Sequence, residues 1–234
     1  MIISFKYKFI FIKTYKTAGS SIETYLYNFL NDKDIIAQTK DYKGINCWGD
    51  FNSENLIEYF GETFYKKIKH KMKFFAHMPI WLVEERLKSL SKKINYDIFN
   101  KFYKFAVIRN PFDLVVSDYY WRKKSKILKE KSFDNIIKEL ESNTLQGYSM
   151  LNLNKLMDKN LDNILCNKII KYENLNEELS DVFKKLGIPF SGKLEIFKKQ
   201  SNRDKDYKKF YDDSSKKLIE EIFWKEMETF NYKF

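Results

Sequence analysis

The chain has 234 residues, with 43 Lys and Arg against 32 Asp and Glu and a formal net charge of +11. That length suits one α/β domain spanning residues 1–234, and 18 % aromatics with only 7 Gly and 3 Pro argue against a disordered chain. The basic excess fits a polyanionic partner such as a nucleotide, an acidic glycan or a membrane surface, or simply codons that favour Lys, Asn, Ile and Phe.

In chain order, Phe5–Ile12 reads as a first strand and Lys13–Ser20 as a polar loop. Ser21–Leu30 follows as an amphipathic helix, with Ile22, Tyr25, Leu26 and Phe29 on one face. Asn31–Asn52 is irregular, broken at Gly44 and Gly49, and Ser53 caps a short helix to Phe60. Phe74–His77 reads as a short strand, and Pro79 starts a helix to about Leu90. Phe102–Ile108 is a buried-strand pattern ended by Asn110-Pro111, and Asp113–Lys124 is a helix. Ser132 caps a helix over Phe133–Glu141. Lys168–Tyr172 is a strand, Asn174–Leu186 a helix stopped by Gly187-Ile188-Pro189, and Ser214–Phe230 mostly helical. Strands alternating with helices imply an α/β fold, a central mostly parallel sheet flanked by helices. Ligands in such sheets bind beyond the strands' C-terminal ends.

Two segments carry the chemistry. Phe9–Leu30 is strand, loop, helix, and the loop holds Lys16, Gly19, Ser20 and Ser21. A helix start offers unpaired N–H groups and a positive dipole end to an anion. Lys16 adds charge, Gly19 allows close approach of the backbone, and the two serines can cap the helix or donate to an anion. The order is not that of a nucleoside-triphosphatase loop, where Lys follows the last Gly; here Lys16 precedes Gly19 in KTAGSS. In the second segment, Arg109 ends a strand and Ser117 lies one turn into the next helix, so both can reach one anion. Asp113 reads as a cap or first-turn residue, and Tyr119, Tyr120 and Trp121 as core.

KTAGSS after one strand and RNPFDLVVSDYY after another resemble the sulfotransferase family, which uses 3′-phosphoadenosine-5′-phosphosulfate (PAPS). IIKYENL (Ile169–Leu175), then KQSNRDKDYKKFYDD (Lys199–Asp213) and the terminal FNYKF, extend the resemblance to bacterial carbohydrate-type members. It implies a P-loop-like nucleotide-binding fold and a donor site at Lys16, Thr17, Ala18, Gly19, Ser20 and Ser21 for the 5′-phosphosulfate. Arg109 and Ser117 would take the 3′-phosphate, Tyr172 the adenine or only core, and Arg203 the phosphates or only solvent. Lys13 would add to donor binding or face solvent. Lys16 would be catalytic at the bridging oxygen and no metal is implied. Ser20-Ser21 stands where many members have Thr-Ser, and Leu114 where relatives often have Arg.

Of the two His, His70 lies in a basic run and reads as surface. On residues alone His77 reads as a core group bonding nearby backbone; the resemblance implies that it is the base, with Glu84 or Glu85 as alternatives. The implied acceptor is a hydroxyl of a carbohydrate or glycolipid, selected by Asn31–Phe75 and Ser125–Asn163.

Cys47 and Cys166 lack metal or redox spacing, so free thiols are expected. No run of ~18 apolar residues exists and lysines interrupt the N-terminal apolar residues, so the expectation is a cytoplasmic protein without a membrane span or signal peptide, peripheral membrane contact remaining open. Two other classes stay in view. An ATP-dependent kinase needs a Gly-Lys-Ser/Thr order and an acidic magnesium ligand. A basic nucleic-acid-binding protein needs an aromatic-basic stripe, whereas the basic runs here are scattered.

Overall fold

The computed structural model describes residues 1–39, 42–47, 73–124, 132–141, 150–195 and 206–234. His70, Arg203, Gly49 and the short helix expected from Ser53 lie outside them.

The sheet is built around three parallel strands, β2 (Phe9–Ile12), β4 (Tyr103–Ile108) and β5 (Lys168–Lys171). β1 (Ile2–Ser4) runs antiparallel to β2, and β3 (Ile35–Ile36) antiparallel to β1, in the order β3-β1-β2-β4-β5. Of the expected strand Phe5–Ile12, only Phe9–Ile12 is extended; Phe5–Lys8 is the turn of a hairpin between β1 and β2. Ser4 pairs with Phe9, and Lys8 turns the chain in the left-handed region at φ 54°.

Side chains alternate across these strands, so the sheet buries two faces. Phe9, Phe11, Phe105, Val107 and Ile170 pack with α1 (Gly19–Leu26) and α6 (Leu175–Leu186). Ile10, Ile12, Ala106 and Ile108 pack on the other face with α2 (Ile80–Ile94) and α3 (Ile98–Lys101). A third cluster joins α4 (Pro111–Lys124), α5 (Phe133–Glu141) and α7 (Asp213–Ile222) through Phe112, Val116, Ile136 and Ile219. α8 (Trp224–Phe230) continues α7 after a break at Phe223. Tyr119 and Tyr120 pack on Phe133 and Phe210, as expected of core aromatics.

Phe74–His77 is not a strand. Phe75 makes one isolated bridge to Gln38, and His77 turns at φ 62° before Pro79 opens α2. Apolar content alone made that run look extended; its two Phe fill core rather than a ladder. Among the described residues, no helix is long and apolar enough to cross a membrane.

Candidate active site

The three parallel strands end side by side. Lys13–Ala18 follows β2, Arg109-Asn110 follows β4, and Tyr172-Glu173 follows β5. Hydrogen bonds tie these ends together. Thr14 Oγ1 donates to the Val107 carbonyl, and the Asn110 N–H donates to Glu173 Oε1 at 2.8 Å.

The loop after β2 is shaped by its backbone. Lys16 (φ 57°) and Ala18 (φ 59°) both take the left-handed conformation, which costs a non-glycine residue roughly 1–2 kcal/mol. Left-handed residues in a turn can bring successive N–H groups together as an anion-binding nest. Ala18 also occupies the N-cap of α1, with no side-chain cap; Ser20 and Ser21 do not fill that role. The first N–H groups of α1, at Gly19 and Ser20, have no intrahelical acceptor and open beside the nest. Thr17 is buried and its hydroxyl pairs with Thr14 Oγ1 at 2.7 Å, so it braces the loop.

Gly19 also has a steric reason that the motif does not contain. A Cβ there would lie 2.8 Å from Lys13 Cγ and 3.3 Å from Cε. Gly19 makes room for the Lys13 stem, which runs past it to an ion pair with Glu23 on α1. Both partners are buried, and Glu23 also takes the α-amino group of Met1. Lys13 therefore neither faces solvent nor reaches out as a donor-binding cation.

Arg109 is buried at the tip of β4. Its Nη1 donates to the Lys16 carbonyl at 3.0 Å, and its Nε donates to Asp113 Oδ2 at 2.6 Å. Its Nη2 lies 2.5 Å from the same Oδ2. The guanidinium carbon sits 4.0 Å from the centroid of the Tyr172 ring. Asp113 is thus a partner of Arg109, while Asn110 caps α4 by accepting from the Phe112 N–H at 3.0 Å. Tyr172 is half-buried against the core cluster beneath α1 and α6, and the Arg109 guanidinium sits over its ring in a cation–π contact.

Asp113, Ser117 and Trp121 recur every four residues and share one face of α4. Asp113 meets Arg109, and the Trp121 ring lies 5.2 Å from Lys16 Nζ. Ser117, half-buried, sits between them on that stripe. Trp121 was expected in the core, yet it borders the loop. Helical spacing from Asp113 and Ser117 was the signal that could have placed it there.

His77 lies against the other side of the loop. Its Nδ1 is 3.2 Å from the Lys13 carbonyl, and its ring meets Tyr15 at 5.9 Å. A carbonyl only accepts, so in the neutral ring Nδ1 carries the proton and Nε2 the lone pair. Burial pushes its pKa well below the ordinary imidazole value, and Lys13, Lys155 and the α-ammonium group push it the same way. Glu84 pairs with Lys88 at 2.8 Å and Glu85 is exposed. Among the described residues no cluster of His, Cys, Asp or Glu is arranged to hold a metal ion.

The chain is similar to several known proteins. An uncharacterized protein of Archaeoglobus fulgidus is 33 % identical over 115 residues, 48 % of this chain and 84 % of that protein. A sulfotransferase from Alicyclobacillus acidocaldarius is 15 % identical at a TM-score of 0.43, over 92 % of this chain and 94 % of that one. Mouse sulfotransferase SULT7A1, solved in complex with PAP, is 15 % identical at a TM-score of 0.49, over 96 % and 85 %. The family model of the sulfotransferases matches residues 1–233, and by that match the chain belongs to the sulfotransferase family.

Proposed function

We propose that the protein moves the sulfuryl group of PAPS onto an acceptor hydroxyl of a carbohydrate or glycolipid. The observation that carries this reading is the contact between Arg109 Nη1 and the Lys16 carbonyl. It joins two anion-holding segments at neighbouring strand ends, as a donor with phosphates at both its 5′ and 3′ positions requires. The loop Lys16, Thr17, Ala18, Gly19, Ser20 and Ser21 cradles the 5′-phosphosulfate. Arg109 and Ser117 take the 3′-phosphate. Three of the five guanidinium N–H groups are used within the protein, which leaves two for phosphate oxygens. Tyr172 backs Arg109 and borders the adenine.

In the reaction a bond forms between the acceptor oxygen and sulfur, and the bond from sulfur to the bridging oxygen breaks. The acceptor proton passes to His77 Nε2, the nitrogen left unprotonated by the contact with Lys13. The charge left on the 5′-phosphate of the product, adenosine 3′,5′-bisphosphate (PAP), meets the Lys16 ammonium and the loop N–H groups. The moving sulfuryl group carries less charge than a phosphoryl group, and the reading assigns no metal. The reading keeps the enzyme in the cytoplasm, where the free thiols Cys47 and Cys166 would remain reduced.

Thermal shift with PAP, ATP and a single-stranded oligonucleotide tests the donor. Stabilisation by PAP beyond that by ATP supports the reading. Equal stabilisation by ATP would favour a kinase, and stabilisation by the oligonucleotide alone a nucleic-acid-binding protein.

A further inference from the structure

Tyr15 stands between β2 and Lys16, and two side chains from distant parts of the chain hold it by hydrogen bonds. Asn152, fully buried, accepts from the Tyr15 N–H at 2.7 Å through Oδ1. Its Nδ2 donates to the Tyr15 carbonyl at 2.9 Å. One amide side chain thus satisfies both main-chain groups of Tyr15, across 137 positions of sequence. The Tyr15 hydroxyl donates to Asp118 Oδ1 at 2.6 Å. Asp118 is itself fixed by Arg122 at 2.6 Å, and Arg122 reaches Glu139 at 3.1 Å. The Tyr15 ring meets His77 at 5.9 Å and Trp121 at 6.5 Å, both edge-on.

Nothing in the proposed chemistry uses Asn152 or Asp118, yet both are buried and directed at the residue before Lys16. A left-handed lysine does not persist unless its neighbours hold it. We infer that Asn152 and Asp118 form a clamp on Tyr15 that keeps Lys16 in its left-handed conformation and its ammonium at the reacting group. They are positioning residues, and Tyr15 transmits their effect while its ring sets the spacing between His77 and Trp121. The inference rests on the proposed role of Lys16.

Two variants test it. Tyr15→Phe removes only the hydroxyl bonded to Asp118; Asn152→Ala removes both main-chain bonds. For Tyr15→Phe, kcat should fall roughly tenfold while PAP affinity stays within about twofold, because the ring and the loop N–H groups remain. Asn152→Ala should lose more. A merely structural role predicts a lower melting temperature with kcat per folded molecule unchanged, and that result would overturn the clamp. The crystal structure of Tyr15→Phe gives a readout independent of activity and of Asn152→Ala folding. Lys16 is expected to leave φ near 57° or to lose its seat by Trp121. An unchanged Lys16 there would also overturn the clamp. Should the wild type bind no PAP, the donor reading fails by itself, and the crystal structure still decides the clamp.

Discussion

Arg109 holds the main-chain oxygen of Lys16 at 3.0 Å, so the cation assigned to the 3′-phosphate also braces the loop assigned to the 5′-phosphosulfate. Through this bond one end of the proposed donor site would act on the other. The Arg109 fork is also shared with Asp113 and sits over the Tyr172 ring. A lysine has no such fork and could not make all these contacts at once.

Arg109→Ala should therefore weaken PAP far more than 5′-AMP. Two charge-assisted hydrogen bonds at roughly 1.5–3 kcal/mol each predict a loss on the order of 10²-fold or more for PAP. The loss for 5′-AMP should be smaller and reflect only the disturbed loop. Calorimetric titration of both nucleotides measures the contrast, and equal losses would remove the 3′-phosphate from Arg109.

The proposed place of Lys16 is at the leaving phosphate, where charge develops. Lys16→Met keeps an apolar stem near Trp121 and removes the ammonium. Its kcat should fall by roughly 10²-fold or more, with a smaller change in PAP affinity. Single-turnover transfer with saturating donor is the measurement. Near-normal turnover in a folded variant would move the reaction centre away from this loop.

Gly19→Ala distinguishes a glycine kept for space from one kept for an anion. An ordinary helical Gly→Ala change stabilises by roughly 0.5–1 kcal/mol. Here the new Cβ would lie 2.8 Å from Lys13 Cγ, and the ion pair with Glu23 fixes that stem. Overpacking should make the variant less stable by roughly 1–3 kcal/mol. Urea denaturation reads the sign, and a more stable variant would show that the Lys13 stem yields easily.

The parts of the fold that were legible in the sequence are those set by local pattern. β4 and α4 follow from an apolar run, an Asn-Pro break and a helical repeat, and they came within two residues of their observed limits. α6 was stopped by Gly187 as expected, at φ 68°. The hairpin was hidden because Phe5 and Tyr7, alternating with lysines, run straight into the apolar Phe9–Ile12, and nothing about Lys8 announces a left-handed turn. In the site, Lys16–Ser21 and Arg109–Ser117 were visible because each is one contiguous segment beside a strand. Asn152 on Tyr15 and His77 on Lys13 are pairings across 137 and 64 positions, and no local spacing encodes them. The role of Gly19 also depended on a side-chain path, that of Lys13 to Glu23, which the motif does not contain.

His77 carries the last prediction, and the contact with Lys13 supplies a substitution that separates its two possible duties. An Asn tolerates the left-handed backbone at φ 62°, and its Nδ2 can replace Nδ1 as donor to the Lys13 carbonyl. His77→Asn therefore keeps the bracing bond and removes only Nε2. As a base, His77 is worth roughly 10²–10⁴ in rate, so His77→Asn should lose about that factor with PAP affinity retained. As a brace alone, it would lose almost nothing, and near-normal transfer would pass suspicion to Glu84 or Glu85. The pH profile gives a second check. Burial and the nearby cations hold the folded pKa well below the ordinary value of 6.5, so His77 is neutral at neutral pH. The wild-type rate should stay level as pH falls through 6.5 and drop only on further acidification. Stability also falls on acidification, but from a higher pH. The unfolded chain takes up a proton near its ordinary pKa while the folded chain resists, so the contribution of His77 is fully present above that pKa. It is lost progressively as pH falls from there toward the folded pKa. His77→Asn should flatten this acidic slope in urea denaturation.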